Sequence, residues 1–497
     1  MSLPPAAAAD RHSHERHPGR GGRMNEHSRS TELADLPAVD LVAGYRTRTL
    51  SPVEVVESVL DRVQACEPLL CATYALDPDG ARAAARESER RWGRGEPDGP
   101  VDGVPVTIKE NIATRGVPVP LGTAATERVP AAEDAPAAAR LRESGAVILG
   151  KTTMPDYGML SSGASSFHHL ARNPWNPDRT PGGSSAGAGA AAAAGYGPLH
   201  VGTDIGGSIR LPAGWCGIVG LKPSFGRIPV DPPYIGRVVG PMTRTVADTA
   251  LLASVLAAPD ERDHTALPPA DIDWAALDGD ARGLRIGLLL DGGAGLPVEP
   301  AVTDAVRAAA ERFEAAGAVV EPLAPILTRE MLDGLDLFWR YRAWNDISAL
   351  PEQRRAHVLP DIAAWAAGAR DASAAQVFHG FSQMDAISAS ANRAVRGLDF
   401  LLSPVAPIPA FPAEQAYPTG DSRLPMEHIA FTVPFNMSGQ PAVSVNCGYT
   451  PDGLPIGLQI AGRRFDDVGV LRLASLHERI RPPQRPWPSP VGSRTAG

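Results

Sequence analysis

Two serines set in separate glycine-rich turns constrain this chain more than any other feature. They are Gly182-Gly183-Ser184-Ser185 and Gly206-Gly207-Ser208, inside the stretch from Thr180 to Gly226. Glycine tolerates backbone angles that other residues resist, and it leaves no side chain between neighbouring amides. Consecutive N–H groups at Ile205, Gly206, Gly207 and Ser208 could therefore converge on one point. Such a cluster stabilises a developing oxyanion, and losing one donor typically costs about 10²–10³ in rate. A serine at the end of the cluster is placed to attack a carbonyl. It needs a base near neutral pH. Val104-Pro105-Val106-Thr107-Ile108 reads as a strand with Lys109 at its end. A lysine in a dry site loses proton affinity, because its charged form is poorly solvated. It could then take a proton from a serine hydroxyl, with Ser184 relaying between Lys109 and Ser208.

Composition narrows the class. The chain has 497 residues, 43% of them hydrophobic, so a large buried core is available. Glycine (50) and proline (49) are dispersed among apolar runs, which excludes collagen and wholesale disorder. A net charge of −9 without a basic stripe argues against nucleic acid as the main partner. The four cysteines (Cys66, Cys71, Cys216, Cys447) contain no CxxC pair. Neither a disulfide framework nor a structural zinc site is expected, and a reducing compartment fits. No run reaches the length of a membrane helix, and charges interrupt the first twenty residues where a signal peptide would be apolar. The expectation is a cytoplasmic enzyme.

Residues 1 to about 30 are polar and rich in His, Arg and Gly. They read as a disordered tail in which His12, His14 and His17 are solvated rather than metal-bound, and Met24 is a second candidate start. Ser51-Pro52-Val53-Glu54 is a capping box, followed by Val55, Val56, Val59, Leu60 and Val63 on one helical face, for about three turns. Ala137 to Glu143 reads as a helix ended by Gly145, with Ala146-Val147-Ile148-Leu149 as the next strand. Val302, Val306, Ala309 and Phe313 mark another helix, ended by Gly317 and followed by Ala318-Val319-Val320. The largely apolar Leu284 to Leu290 suits a sheet covered on both faces. Alternating strands and helices indicate an α/β layered fold. Asp260 to Asp280 reads as a connecting loop and 330–395 as helical. Phe338, Trp339, Tyr341 and Trp344 cluster there, either as core or as a pocket wall.

Several separated motifs resemble the amidase signature family of serine hydrolases. They are Gly182-Gly183-Ser184-Ser185, then Gly202-Thr203-Asp204-Ile205-Gly206-Gly207-Ser208-Ile209-Arg210, then Cys216-Gly217 and Gly220-Leu221-Lys222-Pro223. Gly103-Val104-Pro105 with Lys109-Glu110-Asn111 resembles the family's lysine motif, and Gly150-Lys151-Thr152 and Arg172 to Pro177 also fit. So do Gly240-Pro241-Met242, Val246-Ala247-Asp248 and Asp452 to Gln459. The likeness runs from about residue 35 to 480. It implies one large domain over 31–497, with a signature core at about 100–250 and a helical substrate cover at about 330–395. The implied fold is a large mixed β-sheet covered by helices on both faces. The implied catalytic residues are Lys109, Ser184 and Ser208, with a cis peptide bond before Ser184 and an acyl-enzyme on Ser208. No metal or organic cofactor is implied. The implied partner is a small-molecule amide, with no nucleic acid or membrane, and a homodimer is compatible. Glu110, Thr153, Ala186 and Trp215 depart from the family's commoner residues without removing a catalytic group.

Asp204 and Arg210 read as a buried pair holding the turn, and Cys216 as a packed small hydrophobe. Gly183-Ser184-Ser185-Ala186-Gly187 satisfies the G-x-S-x-G elbow naming Ser185, but loop residues precede it where a strand is required. The following glycine and alanine run mimics a dinucleotide fingerprint and also lacks its strand. Two other functions remain. One is the glutamine-hydrolysing subunit of a tRNA-dependent amidotransferase, which shares the core and needs partner subunits. The other is an inactive binding or scaffold protein on the same fold.

Overall fold

Strand Phe400–Pro404 shows how the sheet uses both faces. Leu401 enters one hydrophobic core and Leu402 the other, because successive side chains of a strand point to opposite sides. Ala442 and Val443 divide the same way, as do Ala461 and Ile460. A strand buried on both sides reads as a near-continuous apolar run, which is why the strand segments carry little alternation.

The computed structural model describes residues 33–488. The expected tail, with His12, His14, His17 and Met24, lies outside the described residues. Among these residues eleven strands form one mixed sheet. In chain order they are β1 (Thr73–Tyr74), β2 (Pro105–Lys109), β3 (Val147–Thr152), β4 (Leu199–Asp204), β5 (Val219–Lys222), β6 (Val238–Thr243), β7 (Arg285–Leu288), β8 (Val319–Pro322), β9 (Phe400–Pro404), β10 (Ala442–Tyr449) and β11 (Pro455–Gly462). Their spatial order is β1-β3-β2-β4-β6-β5-β10-β11-β9-β7-β8. β2 lies parallel to both β3 and β4, with Ile108 opposite Val201. The C-terminal ends of β2 and β4 therefore open on one edge of the sheet, where α/β proteins place their ligands. Lys109 ends β2 there, and the turn carrying Ser208 follows β4.

The helix Ala186–Ala194 consists of alanine and glycine only, and all nine residues are buried. Small side chains let its backbone approach the sheet closely. A Cβ added at Gly187 would sit 2.1 Å from the Ala72 carbonyl oxygen and 2.5 Å from the Thr153 nitrogen. Residues Val246–Leu256 and Asp467–Ile480 form helices on the opposite face. Four helices, Arg329–Ser348, Glu352–Arg355, Pro360–Ala367 and Ala374–Ala394, occupy the region expected to be helical. No helix or strand interrupts 257–284, the expected connecting loop.

One expectation needs adjustment. The helix that begins after Ser51 runs from Pro52 to Leu70, nineteen residues rather than three turns. Cys66 and Leu70 extend its buried face, and Cys71 ends it in the left-handed conformation. Ser51 accepts hydrogen bonds from the Val53 and Glu54 amides. The strand expected after Gly317 is present as β8, at the sheet's edge, with Val319 56% exposed.

Gly187→Ala should lower the unfolding midpoint by the equivalent of about 1–3 kcal/mol, the usual cost of overfilling a packed site. Gly93, in the helix Pro78–Arg94, has nothing within 4 Å of an added Cβ. Gly93→Ala should raise stability by roughly 0.5–1 kcal/mol. Thermal unfolding of the two variants checks both, and a wild-type midpoint for Gly187→Ala would refute the close approach.

Candidate active site

The turn after β4 is built around one carboxylate. Asp204 Oδ1 accepts the Gly207 N–H at 2.8 Å, and Oδ2 accepts the Ile209 N–H at 3.2 Å. Both oxygens also face Arg210, which donates from Nη2 at 2.9 Å and from Nε at 3.0 Å. Neither side chain has any exposure. Burial would raise the Asp204 pKa, but Arg210 and Asn436 outweigh it and hold the carboxyl far below the usual range. The rest of Arg210 is also occupied. Nη1 donates to the Thr432 carbonyl at 2.8 Å and to Gln459 Oε1 at 2.7 Å, and Nη2 donates to Asn436 Oδ1 at 2.6 Å. Gly207 has φ +130°, and an added Cβ there would meet Thr432 Oγ1 at 2.6 Å, so the turn requires glycine.

This arrangement corrects the expected donor cluster. The Gly207 N–H points at Asp204 and not into the cleft. The N–H groups of Ile205, Gly206 and Ser208 have no hydrogen-bond partner among the described residues. Ser208 is 9% exposed, and its hydroxyl likewise has none.

Lys109 is fully buried and ends β2 beside the turn. Its Nζ donates to Ser184 Oγ at 2.7 Å and to Thr203 Oγ1 at 2.9 Å. It forms no ion pair among the described residues. Burial is the main cause that pulls its pKa down to about 7; Asp204 opposes the fall and Arg237 adds to it. Asn111 Nδ2 donates to the same Thr203 hydroxyl at 3.2 Å, and Asn111 Oδ1 is buried without a partner. The Gly183–Ser184 peptide is cis. Ser184 and Ser208 line one cleft, but among the described residues no hydrogen bond joins them.

Tyr157, Met159, Leu160, Trp339, Met426 and Ile429 give the cleft apolar walls. Of the four clustered aromatics, Trp339 alone lines it. Phe338 instead packs edge-on against Phe381, with ring centroids 5.3 Å apart. Trp339 is 4% exposed and leans over Gly206. Two arginines that the motifs did not point to, Arg237 and Arg342, also line the cleft. Arg237 lies on the loop before β6 and Arg342 on the helical cover, each remote in sequence from the serines.

Ser185 is turned away from the cleft. Its hydroxyl donates to the Thr203 carbonyl at 3.2 Å, and its N–H donates to the Ser208 carbonyl at the same distance. No strand runs directly into it, and among the described residues no histidine lines the cleft. His200 is buried against Thr107 and the Gly197 carbonyl, and burial lowers its pKa to about 3. Cys216 is buried with its Sγ 3.3 Å from the Pro181 carbonyl, and burial pushes its thiol pKa up. Among the described residues, no three His, Cys, Asp or Glu side chains gather to hold a metal ion, and no helix is long and apolar enough to cross a membrane.

The model of the family described as Amidase matches residues 54–471. The chain belongs to the amidase signature family. It is an enzyme of that amide-converting class. The A subunit of glutamyl-tRNA(Gln) amidotransferase from Chloroflexus aurantiacus is 36% identical over 493 aligned residues, covering 90% of this chain and 97% of that protein. A bacterial aryl acylamidase of the amidase signature family superimposes with a TM-score of 0.85 at 30% identity, covering 92% of this chain and 98% of the other. The A subunit of glutamyl-tRNA(Gln) amidotransferase from Thermotoga maritima superimposes with a TM-score of 0.75 at 26% identity, covering 92% and 98%.

In this amidase signature chain the Asp204–Arg210 pair should be needed for folding. Asp204→Ala would strand a buried guanidinium, at a cost of about 3–5 kcal/mol. Asp280→Ala removes the partner of surface Arg282 and should leave the midpoint unchanged. Urea unfolding of both variants reads the contrast.

Proposed function

We propose that this protein is a free-standing amidase that hydrolyses a carboxylic amide to acid plus ammonia or amine. The observation that carries the reading is the contact between Lys109 Nζ and Ser184 Oγ, 2.7 Å long, in a dry site on the cleft that Ser208 also lines. Neutral Lys109 takes the Ser184 proton, and Ser184 Oγ takes the Ser208 proton as Ser208 Oγ attacks the carbonyl carbon. This relay needs a small closure, since Ser184 and Ser208 are not yet bonded; catalytic contacts commonly tighten only with substrate bound. The unpartnered N–H groups of Ile205, Gly206 and Ser208 suit the resulting oxyanion, and Gly207 is not among the donors. When the C–N bond breaks, the proton returns through Ser184 to the leaving nitrogen. Water then attacks the acyl ester on Ser208, giving a proton to neutral Lys109 through Ser184; as the acyl–Oγ bond breaks, that proton returns through Ser184 to Ser208 Oγ and the acid leaves. Asp204, Arg210 and Ser185 hold the backbone of this site and touch no reacting atom.

A second reading, the glutamine-hydrolysing component of an amidotransferase assembled with partner subunits, is supported by the 36% identity over nearly the whole chain. The ammonium end of glutamine weighs against it. Glutamine carries an α-ammonium group, and Asp204, the sole acidic residue among the described lining, uses its carboxylate on Arg210 and backbone amides. The higher superposition score with the aryl acylamidase points the same way.

Treatment with a serine-directed fluorophosphonate should leave one adduct, on Ser208, that is absent in Lys109→Ala. Ser208→Ala should lose roughly 10³-fold or more in kcat. The free protein should cleave 4-nitroacetanilide faster than glutamine; the reverse order would favour the second reading. An adduct on Ser185 would overturn the assignment of the nucleophile.

The base assignment also fixes a pH profile. Below pH 7 Lys109 carries its proton and cannot accept another. Activity on a neutral amide should rise through about pH 7 and level off above it. A profile that is flat across this range while chemistry limits the rate would count against Lys109 as the base.

A further inference from the structure

Arg237 and Arg342 line the same cleft from separate elements, one from the loop before β6 and the other from the helical cover. The guanidinium of Arg342 lies 4.2 Å from the Tyr234 ring centroid, and that of Arg237 lies 5.5 Å from it. One aromatic ring therefore positions both cations, an arrangement that suits the flat delocalised charge of arginine. Neither makes an ion pair among the described residues. Arg237 gives its Nη1 to the Pro232 carbonyl at 3.3 Å, and the guanidinium of Arg342 has no hydrogen-bond partner among the described residues. Both are half-buried.

Two like charges facing one partly dry cleft repel each other, and arginine cannot relieve this by losing a proton. The repulsion shows in Arg237, whose pKa burial and Arg342 both lower. The bland reading is a pair of stacked surface arginines. That reading leaves their shared place on the cleft without a cause, whereas arginines elsewhere in the molecule commonly meet a carboxylate. Arg237 also sits within electrostatic reach of Lys109 and depresses its proton affinity. Both arginines line the cleft that Ser184 and Ser208 line.

We infer that Arg237 and Arg342 bind a carboxylate carried by the substrate, so that the preferred amide is anionic. This rests on the amidase reading above and adds the class of substrate. A carboxylate accepts two parallel N–H bonds from a guanidinium, and such charge-assisted pairs are about twice as strong as neutral ones. The apolar walls of Met159, Leu160, Met426 and Ile429 would take the carbon chain between the carboxylate and the scissile carbonyl.

Two matched substrate pairs test this and separate the acyl side from the amine side. Glutaramate is compared with pentanamide, and 4-acetamidobenzoate with 4-methylacetanilide. In one pair at least, the carboxylate member should win in kcat/KM by about tenfold or more at low salt, with the margin shrinking as salt is added. Arg342→Gln should bring that ratio towards one, and Arg342→Glu should turn the preference towards 5-aminopentanamide. Titration calorimetry of the same pairs against Ser208→Ala reads affinity without turnover and should show the same preference. Equal affinity within both pairs, or a carboxylate preference that survives in both Arg237→Gln and Arg342→Gln, would overturn the inference. Selective binding of the carboxylate member without hydrolysis by the wild-type protein would sustain it and overturn the amidase reading alone.

Discussion

Removing a carboxylate and a guanidinium from water costs several kcal/mol per ion, and only close geometry with further hydrogen bonds offsets that cost. Asp204 and Arg210 meet the condition because their surroundings are fully assembled. Arg210 reaches Thr432, Asn436 and Gln459, residues more than 200 positions away in the chain. Asp204 takes the Gly207 and Ile209 amides. The pair is satisfied only when β4, β11 and the helix Val433–Met437 have all come together. The shape of the serine turn is thus a readout of the complete fold.

The two sides of the cleft have different origins. The strand ends of the sheet deliver Lys109, Thr203 and the turn of Ser208, on backbone fixed by parallel pairing of β2 with β4. The helical cover delivers Trp339 and Arg342. A small bridge ties the cover to the floor: Asp156, buried, accepts the Ser166 amide at 2.7 Å and the Leu359 amide at 2.9 Å. The chain has three deeply buried lysines, each with its pKa drawn by burial to about 7. Lys222 donates to the Pro223 carbonyl, and Lys151 to the Ile112 carbonyl and the Thr114 hydroxyl, none of which lines the cleft. Lys109 points at the hydroxyls of Ser184 and Thr203, both residues of the cleft lining.

Much of this was legible in the sequence where the signal is local. Ser51 before proline marked a helix start, Gly317 marked an end, and the apolar runs marked strands. The glycine turns and Lys109 stood out as candidates because ordered motifs carry them. What stayed hidden depends on distant residues. The length of the helix Pro52–Leu70 lay in Cys66 and Leu70, past the densest part of its apolar face. The direction of the Gly207 N–H is set by a carboxylate three residues earlier that long-range partners hold in place. Trp339 and Trp344 looked alike in sequence, and only the docking of the cover decides which of them reaches the cleft. Arg237 and Arg342 carried no local signal, because their meaning lies in sharing Tyr234.

The helix of alanines and glycines has a consequence for how this protein can change over generations. In an ordinary core, a bulkier residue at one position can be accommodated by a smaller one opposite it. Here the nearest neighbours of Gly187 are main-chain atoms of Ala72 and Thr153, which no exchange of side chains can trim. Compensation by side-chain exchange is closed off at this point beneath the serines, whereas the cover meets the cleft through side chains such as Trp339 and Arg342.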